Sequence, residues 1–327
     1  MKRVAKFAAA IAVLALGAVA AGAQAYPERT ITIVVPFAAG GPTDTVTRLV
    51  AESMSKDLGQ EVIVENVAGA GGTTGASQVA EAEPDGYTLL VYHIGMATSA
   101  TLYRNLPYDT LNAFEYVGLV TDVPMTIVGR KDLEPNDLKS LVDYAKANKD
   151  KVSLANAGIG AASHLCGMLF MSAVGTTIVT VPYKGTGPAM TDLLGGQVDI
   201  MCDQTTNTTQ QIEGGKIKAY AVTTTKRLTT PALAKLPTLD ESGLKGFNVT
   251  IWHGLYAPKG TPKAALDKVN AALKNALKDA EFIKRQEALG AVVVSDNRVN
   301  GPDHKKFVEA EIAKWGPAIK AAGQYAD

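Results

Sequence analysis

Two glycine-rich turns, each set between a short apolar strand and a helix, constrain the fold of this chain most. Residues 31–44 read Ile-Thr-Ile-Val-Val and then Pro-Phe-Ala-Ala-Gly-Gly-Pro-Thr-Asp, and residues 62–75 repeat the pattern with Gly-Ala-Gly-Gly-Thr-Thr-Gly. Such a turn exposes backbone N–H groups at a helix N-terminus, where the helix dipole attracts negative charge. Because neighbouring parallel strands end at one edge of a sheet, the two turns predict a small-anion site built from backbone.

Apolar strand patterns alternate with helical patterns along most of the chain. A typical helical stripe is formed by Val46, Leu49, Val50, Met54 and Leu58, which repeat at three and four residues. This alternation predicts the α/β class, with sheets of mainly parallel type and right-handed crossovers. Strands are predicted at residues 31–36, 61–65, 87–92, 116–121, 125–129, 152–156, 177–183, 198–202, 217–223 and 249–257.

We expect two α/β domains with a ligand cleft between them. Residues 26–122 and 228–327 are predicted to form domain 1, and residues 123–227 to form domain 2. The chain would cross between the domains twice, first near residues 121–124 and again between residues 223 and 252. In the last third, Thr261-Pro262 predicts a helix start with a cap and a first-turn proline, and Gly316-Pro317 predicts a kink or break in the final helix.

The first 25 residues have the pattern of a secretory signal peptide. Three basic residues precede an apolar run, and a small-x-small motif predicts cleavage after Ala25, with Tyr26 as the mature start. A membrane anchor is the weaker alternative, since the apolar run is short of about 20 residues. The protein is therefore expected in the periplasm. The mature chain has 302 residues, with 29 basic and 32 acidic side chains and no polybasic segment, which argues against nucleic acid as a partner.

The residue types that carry catalysis or bind metals lack the necessary spacing. The sequence contains no Gly-x-Ser-x-Gly and no His-Glu-x-x-His, and its four histidines are not spaced as metal ligands. We therefore expect a binding protein without a metal or other cofactor. An exported enzyme remains an alternative, with Ser163, His164 and Asp203 as its candidate residues. The two cysteines, Cys166 and Cys202, could form a disulfide in an oxidising compartment or remain buried thiols.

Several polar residues at strand ends have both a binding and a structural interpretation. Asp44 is expected to cap a helix or hold a water molecule rather than touch an anion. Ser163 would face the first two turns from the other domain, or act only as a helix cap. Lys184 could pair with a carboxylate or simply be exposed. Asp203 could accept a hydrogen bond from an ammonium, a hydroxyl or a water, or begin a helix that runs through Asn207.

The chain resembles the periplasmic solute-binding proteins of tripartite tricarboxylate transporters, also called the Bordetella uptake gene (Bug) family. The resemblance extends over the whole mature chain. Its motifs include Tyr26-Pro-x-Arg-x-Ile31, Val35-Pro-Phe-Ala-Ala-Gly-Gly-Pro-Thr-Asp44, Glu65-Asn-x-x-Gly-Ala-Gly-Gly72, Pro84-Asp-Gly-Tyr-Thr88, Asn105-Leu-Pro-Tyr-Asp109, Val181-Pro-Tyr-Lys-Gly185, Pro237-Thr-Leu-x-Glu241 and Ala257-Pro-x-Gly-Thr-Pro262.

This resemblance implies a two-domain periplasmic binding protein of the type II, Venus flytrap kind. It implies a monomer that captures a small carboxylate (a dicarboxylate, a tricarboxylate or an acidic amino acid) and passes it to integral-membrane transporter subunits. A periplasmic ligand sensor for a receptor kinase and a binder of an aromatic carboxylate are the alternatives.

The resemblance also maps family binding positions onto this chain. Backbone amides of residues 37–43 and 69–73 would grip the carboxylate, and residues 157–163, 183–184 and 203 would form the opposite wall. Pro42, Met96 and Cys202 depart from residues common in the family, and this concerns the part of the cleft that selects the ligand. The predicted ligand-binding residues are Phe37, Ala38, Gly40, Gly41, Thr43, Asp44, Gly71, Gly72, Thr73, His93, Gly95, Met96, Ala157, Ser163, His164, Tyr183, Lys184 and Asp203.

Overall fold

The computed structural model of the protein describes residues 26–322 and 325–326. The predicted signal peptide and its cleavage point after Ala25 lie outside the described residues. The strands are β1 (Ile31–Val35), β2 (Val62–Asn66), β3 (Thr88–His93), β4 (Phe114–Arg130), β5 (Ser153–Asn156), β6 (Val179–Pro182), β7 (Ile200–Gln204), β8 (Ile217–Val222), β9 (Thr250–Pro258) and β10 (Val292–Val293).

Ten α-helices connect and cover these strands within the described part of the chain. They are α1 (Pro42–Leu58), α2 (Thr73–Ala80), α3 (Gly95–Leu102), α4 (Leu138–Ala147), α5 (Ala162–Val174), α6 (Thr186–Leu194), α7 (Thr205–Glu213), α8 (Lys263–Ala276), α9 (Ala280–Ala288) and α10 (Gly301–Ala322). Short 3₁₀ helices span Ala70–Gly72 and Asn297–Val299. None of the helices in the described segments is both long and apolar enough to cross a bilayer.

The strands form two groups that share one strand. In the first group the order is β2-β1-β3-β9-β4, with β10 also paired to β4. Strands β1, β2 and β3 are parallel to one another, whereas β9 is antiparallel to both β3 and β4. In the second group β4 pairs with β8 and β7, and β5 and β6 continue the sheet beyond β7. We call the two groups, with their helices, lobe 1 and lobe 2.

Strand β4 passes through both sheets without interruption. The sequence predicts two strands here, separated at residues 122–124, and this prediction was wrong. Val123 lies opposite Ile251 and Pro124 opposite Thr250 in the first sheet, and Met125 lies opposite Gln204 in the second. Pro124 is tolerated because β4 changes its pairing partners at this point. The missing backbone N–H therefore interrupts the hydrogen bonds of neither sheet. The α/β class and the passage from lobe 1 to lobe 2 near residues 121–124 agree with expectation, while the predicted domain boundaries stay a prediction.

Burial explains why the strands of lobe 1 read as continuous apolar runs. Ile31 and Ile33 pack with Val46 and Val50 of α1 on one face of the sheet, and Val34 packs into a second cluster on the other face. Because helices cover both faces, neither face of β1 can be polar. The core of this lobe therefore holds the C-terminal ends of β1, β2 and β3 at one edge, where the two glycine-rich turns begin.

Two local predictions in the last third need correction. Helix α8 begins at Lys263, with Pro262 as the N-cap, because the hydroxyl of Thr261 bonds backward to the carbonyl of Pro258 at 2.8 Å. Helix α10 does not break at Pro317 but continues to Ala322. The buried side chains Trp315 and Ile319 flank this proline, so packing holds the helix together where one backbone hydrogen bond is lost.

Candidate functional site

A narrow cavity lies where the two lobes meet. The cavity volume is about 10 Å³, which is about the space that one water molecule needs. Both lobes contribute to its walls. The lining residues are Phe37, Gly41, Pro42, Thr43, Asp44 and His93 from lobe 1, and Ala157, Ala162, Ser163, Thr186, Asp203 and Gln204 from lobe 2.

Four helices begin at this cavity. The lining includes the first residues of α1 and α5, the first residue of α6, and Gln204, the N-cap of α7. The first N–H groups of each helix have no partner within the helix, and the dipole makes this end electropositive. None of the twelve lining residues is a lysine or arginine. Any attraction that these walls exert on an anion therefore comes from backbone groups rather than from a cationic side chain.

The first turn is held in shape by Asp44. Its carboxylate accepts hydrogen bonds from the backbone N–H of Gly40 at 3.0 Å and from the side chains of Arg48 and Asn66, each at 3.0 Å. The Asn66 amide also donates to the carbonyl of Phe37. Burial alone would raise the pKa of Asp44, but these hydrogen bonds outweigh it and the pKa is lowered. Asp44 therefore ties the first turn to β2, and it does not cap α1 as one interpretation of the sequence expected.

His93 enters the cavity wall from the end of β3. Its ring stacks on Phe37 with centroids 4.7 Å apart, and its Nδ1 accepts a hydrogen bond from the backbone N–H of Gly95 at 2.9 Å. Burial lowers the pKa of His93 to about 3. With Nδ1 acting as acceptor on a neutral ring, the proton resides on Nε2, and His93 is a neutral hydrogen-bond donor.

A second buried histidine, His253, positions a lining residue from behind. Its Nε2 lies 3.3 Å from the hydroxyl oxygen of Thr43, and its Nδ1 lies 3.2 Å from that of Thr121. Burial, reinforced by the proximity of His93, lowers the pKa of His253 well below its ordinary value. The sequence does not reveal this contact, because it joins residues more than 200 positions apart.

Asp203 is the most unusual group in the cavity. It is 1% exposed, and burial raises the pKa of its carboxyl to about 6, although hydrogen bonds from Asn207, from the backbone N–H of Gln204 and from Thr186 oppose the shift. Among the lining residues there is no cation to neutralise it. A bound molecule that places a hydrogen-bond donor here would stabilise the ionised form.

Ser163 shapes the third turn. Its hydroxyl oxygen accepts a hydrogen bond from the backbone N–H of Ala157 at 2.8 Å, which closes the turn between β5 and α5. One turn further along α5, Cys166 forms a disulfide with Cys202 of β7, with Cα atoms 6.0 Å apart. The disulfide joins the helix that carries Ser163 to the strand that carries Asp203.

Hydrogen bonds join the lobes around the cavity, so the structure is in a closed arrangement. The backbone N–H of Ala38 donates to the carbonyl of Lys184 at 2.9 Å. The hydroxyl of Thr98 donates to the carbonyl of Gly160 at 3.0 Å. Outside this contact an open groove is lined by both lobes, including Tyr103 and Ala326.

The structure separates the predicted site residues into three groups. The cavity brings together Phe37, Gly41, Thr43, Asp44, His93, Ala157, Ser163 and Asp203. The outer groove contains Ala38, Gly71, Tyr183 and Lys184. The residues that line neither are Gly40, Gly72, Thr73, Gly95, Met96 and His164.

Local contacts explain four of the six residues in the third group. Met96 is fully buried in the core, and a Cβ at Gly72 or Gly95 would meet the ring of Tyr92. Thr73 donates its hydroxyl to the carbonyl of Ala70. The lining residues absent from the predicted set are Pro42, Ala162, Thr186 and Gln204. Each is the first residue or N-cap of a helix that begins at the cavity, a signal visible in the strand-to-helix pattern.

The two lobes, the shared strand and the cavity of helix N-termini define a periplasmic binding protein. Residues 46–324 match the family described as "Tripartite tricarboxylate transporter family receptor" (TctC), and the chain belongs to this family of periplasmic solute-binding proteins.

Individual proteins agree with this assignment. The chain is similar to the periplasmic binding protein BugD, with 56% identity, a TM-score of 0.90, and 92% of this chain and 100% of that chain covered. It is similar to MatC (Rpa3494) from Rhodopseudomonas palustris with bound malate, with 40% identity, a TM-score of 0.86, and coverage of 90% and 100%. A protein from the TAR-I ttuE-ttuC' intergenic region of Agrobacterium vitis is 53% identical, over 94% of this chain and 88% of its own length.

Proposed function

We propose that this protein captures a small carboxylate in the cavity between its lobes and delivers it to a tripartite tricarboxylate-type membrane transporter. The observation that carries the proposal is the convergence of four helix N-termini on a cavity without a lysine or arginine. The malate in the related MatC structure supports a dicarboxylate, a tricarboxylate or an acidic amino acid as the ligand class.

Neutral donors are sufficient to hold such a ligand. Each hydrogen bond between a backbone N–H and a carboxylate contributes about 1.5–3 kcal/mol, more than a bond between neutral groups. The cavity adds the hydroxyl of Thr43, which His253 orients, and the neutral Nε2–H of His93. The groups that hold a carboxylate are therefore neutral hydrogen-bond donors, and none of them needs a positively charged side chain in order to donate.

Capture is coupled to closure of the lobes. Because the cavity walls come from both lobes, a ligand that touches both walls binds the closed form better than the open form. A differential affinity of about 5.5 kcal/mol shifts a two-state equilibrium from about 1% to about 99% closed. The ligand-loaded, closed protein is the form that we expect the transporter to recognise.

In this proposal the protein is exported from the cytoplasm before it binds its ligand. We expect the signal peptide to be removed after Ala25 and the mature protein to act in the periplasm as a monomer. The mass of the protein recovered from the periplasmic fraction tests the cleavage point, and sedimentation of the purified protein tests its oligomeric state. A retained leader would contradict export by this route.

The decisive experiment is a ligand screen on the mature protein after unfolding and refolding to remove any carried ligand. Calorimetry would be run with dicarboxylates of four to six carbons, citrate, aspartate, glutamate and aromatic carboxylates, and the uncharged diamide of succinate would serve as control. Ligand at 100 times its Kd adds about 2.7 kcal/mol to the unfolding free energy, which a thermal shift detects. The proposal would be contradicted if only the diamide bound, or if none of the carboxylates in the panel bound.

Delivery is tested separately in cells. Deleting the gene should abolish uptake of the labelled ligand found in the screen, and supplying the mature protein with its leader should restore it. Unchanged uptake in the deletion strain would contradict the transport role while leaving ligand capture intact.

A further inference from the structure

Helix α7 of lobe 2 packs against lobe 1 with a face of threonines. Thr205 and Thr209 are four residues apart and share this face. The hydroxyl of Thr209 donates to the carbonyl of Leu289 at 3.1 Å, and a Cβ on Gly290 would lie 3.2 Å from the hydroxyl oxygen of Thr205. Leu289 and Gly290 belong to lobe 1, because they lead from α9 into β10, which pairs with β4 in the first sheet. This face of α7 is therefore part of the contact between the closed lobes.

The threonine hydroxyls of α7 differ in their hydrogen-bond partners. Thr209 is bonded across the lobes, as described above. The hydroxyl oxygen of Thr208 lies 2.9 Å from that of Thr126, in the part of β4 that pairs with β7, so this contact stays within lobe 2. Thr205 is 0% exposed, and its hydroxyl has no hydrogen-bond partner among the residues that the structure describes. One helix therefore carries a hydroxyl paired between the lobes, one paired within a lobe and one unpaired at the interface.

The unpaired hydroxyl of Thr205 adds a cost to the closed form. A buried hydroxyl without a partner has given up its hydrogen bonds to water and gained none in return. Gly290, which lies against Thr205, belongs to the opposite lobe, so we expect separation of the lobes to return the hydroxyl to water. The cost therefore falls on the closed form and not on the open form.

We propose that the hydroxyl of Thr205 holds the ligand-free protein toward the open form, so that closure requires the free energy supplied by a bound ligand. This inference goes beyond the proposed function, because it concerns the protein without ligand. Thr209 acts in the opposite sense, since its hydrogen bond to Leu289 forms only when the lobes meet. The balance between these two hydroxyls on one face of α7 sets how readily the empty protein closes.

The test measures the ratio of closed to open protein in the absence of ligand. The mature protein is unfolded and refolded to remove any carried ligand. Spin labels are attached at Lys139→Cys on α4 and Lys263→Cys on α8, two exposed positions that lie one in each lobe. The distribution of distances between the two labels then gives the populations of the open and closed forms.

Three substitutions on the same helix should give three different results. Thr205→Val keeps the shape of the side chain and removes the unpaired hydroxyl, so the ratio of closed to open protein should rise at least about fivefold. Thr209→Val removes the hydrogen bond between the lobes, so the ratio should fall about twofold or more. Thr208→Val is the matched control, because its hydroxyl is paired within lobe 2 and the ratio should not change.

Two further variants separate the hydroxyl from the shape of the side chain. Thr205→Ser keeps the hydroxyl and loses only the methyl group, so the ratio should not rise; a rise equal to that of Thr205→Val would overturn the inference. Thermal unfolding checks that each variant folds, and Thr205→Ala, which also lacks the hydroxyl, decides the question if Thr205→Val does not fold. An unchanged or lower ratio without the hydroxyl, or a ligand-free wild type that is already closed, would overturn the inference and leave ligand capture standing.

Discussion

The hydroxyl of Tyr103 in lobe 1 lies 2.9 Å from the carbonyl oxygen of Ile159 in lobe 2, and 2.6 Å from the carbonyl oxygen of Ala70 in its own lobe. A phenol has a single proton, so the two carbonyls share it. In this closed arrangement Tyr103 connects the second glycine-rich turn to the third, and we expect the proton to serve Ala70 alone when the lobes separate. This side chain therefore contributes to the energy of closure without touching the cavity.

Tyr103→Phe should shift the protein toward the open form. The substitution also removes the bond to Ala70, so closure loses only part of a hydrogen bond worth about 0.5–1.5 kcal/mol, and ligand affinity should fall by a factor below about tenfold. Calorimetry measures the ligand affinity, and small-angle scattering measures the population of the compact form. Tyr144→Phe on α4 is the control and should bind as the wild type does. Unchanged affinity in Tyr103→Phe would show that the shared proton does not stabilise closure.

Gly71→Ala should block closure by direct collision. A Cβ at this position would lie 1.8 Å from the carbonyl oxygen of Ile159, a distance that no side-chain movement relieves. The open form has no such collision, so the variant should fold, lose at least about tenfold in ligand affinity and show no compaction with ligand.

Gly40→Ala is the matched control for this substitution. Both glycines have positive φ, 60° at Gly71 and 81° at Gly40, and both pay a similar backbone strain of about 1–2 kcal/mol as alanine. A Cβ at Gly40 meets nothing within 4 Å. Gly40→Ala should therefore lose stability but still compact with ligand. Compaction of Gly71→Ala to the same extent would contradict the closed geometry.

The stability of the ligand-free protein should depend on pH through Asp203. Its pKa is raised by burial from 3.8 to about 6, so the folded state holds a proton that the unfolded state releases. The contribution of this proton to the free energy of unfolding is fully present below about pH 4. It is lost as the pH rises through about 6, a change of about 3 kcal/mol. Urea unfolding of wild type and Asp203→Asn should diverge across this interval. If the unfolding free energies of the two proteins change with pH in parallel, the raised pKa does not belong to Asp203.

The disulfide between Cys166 and Cys202 should stabilise the folded protein. It closes a loop with a sequence separation of 36, and by loop entropy alone such a cross-link contributes about 4 kcal/mol. Thermal unfolding with and without a reductant should show a fall of several degrees, and the Cys166→Ala, Cys202→Ala double variant should unfold at the reduced temperature in both conditions. A double variant as stable as the oxidised protein would contradict this contribution.

Local patterns predicted the elements of this fold well where pairing is regular. Burial imposes a fixed period on the apolar residues. The sequence therefore predicts both the strand that contains Ile31 and Ile33 and the helix face formed by Val46 and Val50. Pro124 misled the prediction, since its effect depends on which strand lies opposite, and that is a property of the tertiary structure.

The candidate site was predictable in part for the same reason. Gly41, Thr43 and Ser163 lie at strand-to-helix turns and were found from that position alone. His253 was not, because its role depends on Thr43, which reaches it only after the sheet has formed. Met96 lies in the first turn of α3, just after His93 ends β3, yet its side chain is buried in the core, and the residue type alone does not give the direction of the side chain.

The strand order of lobe 1 has a consequence for the order of synthesis. Strand β9 lies between β3 and β4, although it is made more than 100 residues after both. A nascent chain that ends before Thr250 therefore lacks the middle strand of its first sheet, and β3 and β4 have no common partner. Lobe 1 cannot complete its sheet until β9 has been made, so the long-range pairing of β9 with β3 and β4 comes late in the folding of this lobe.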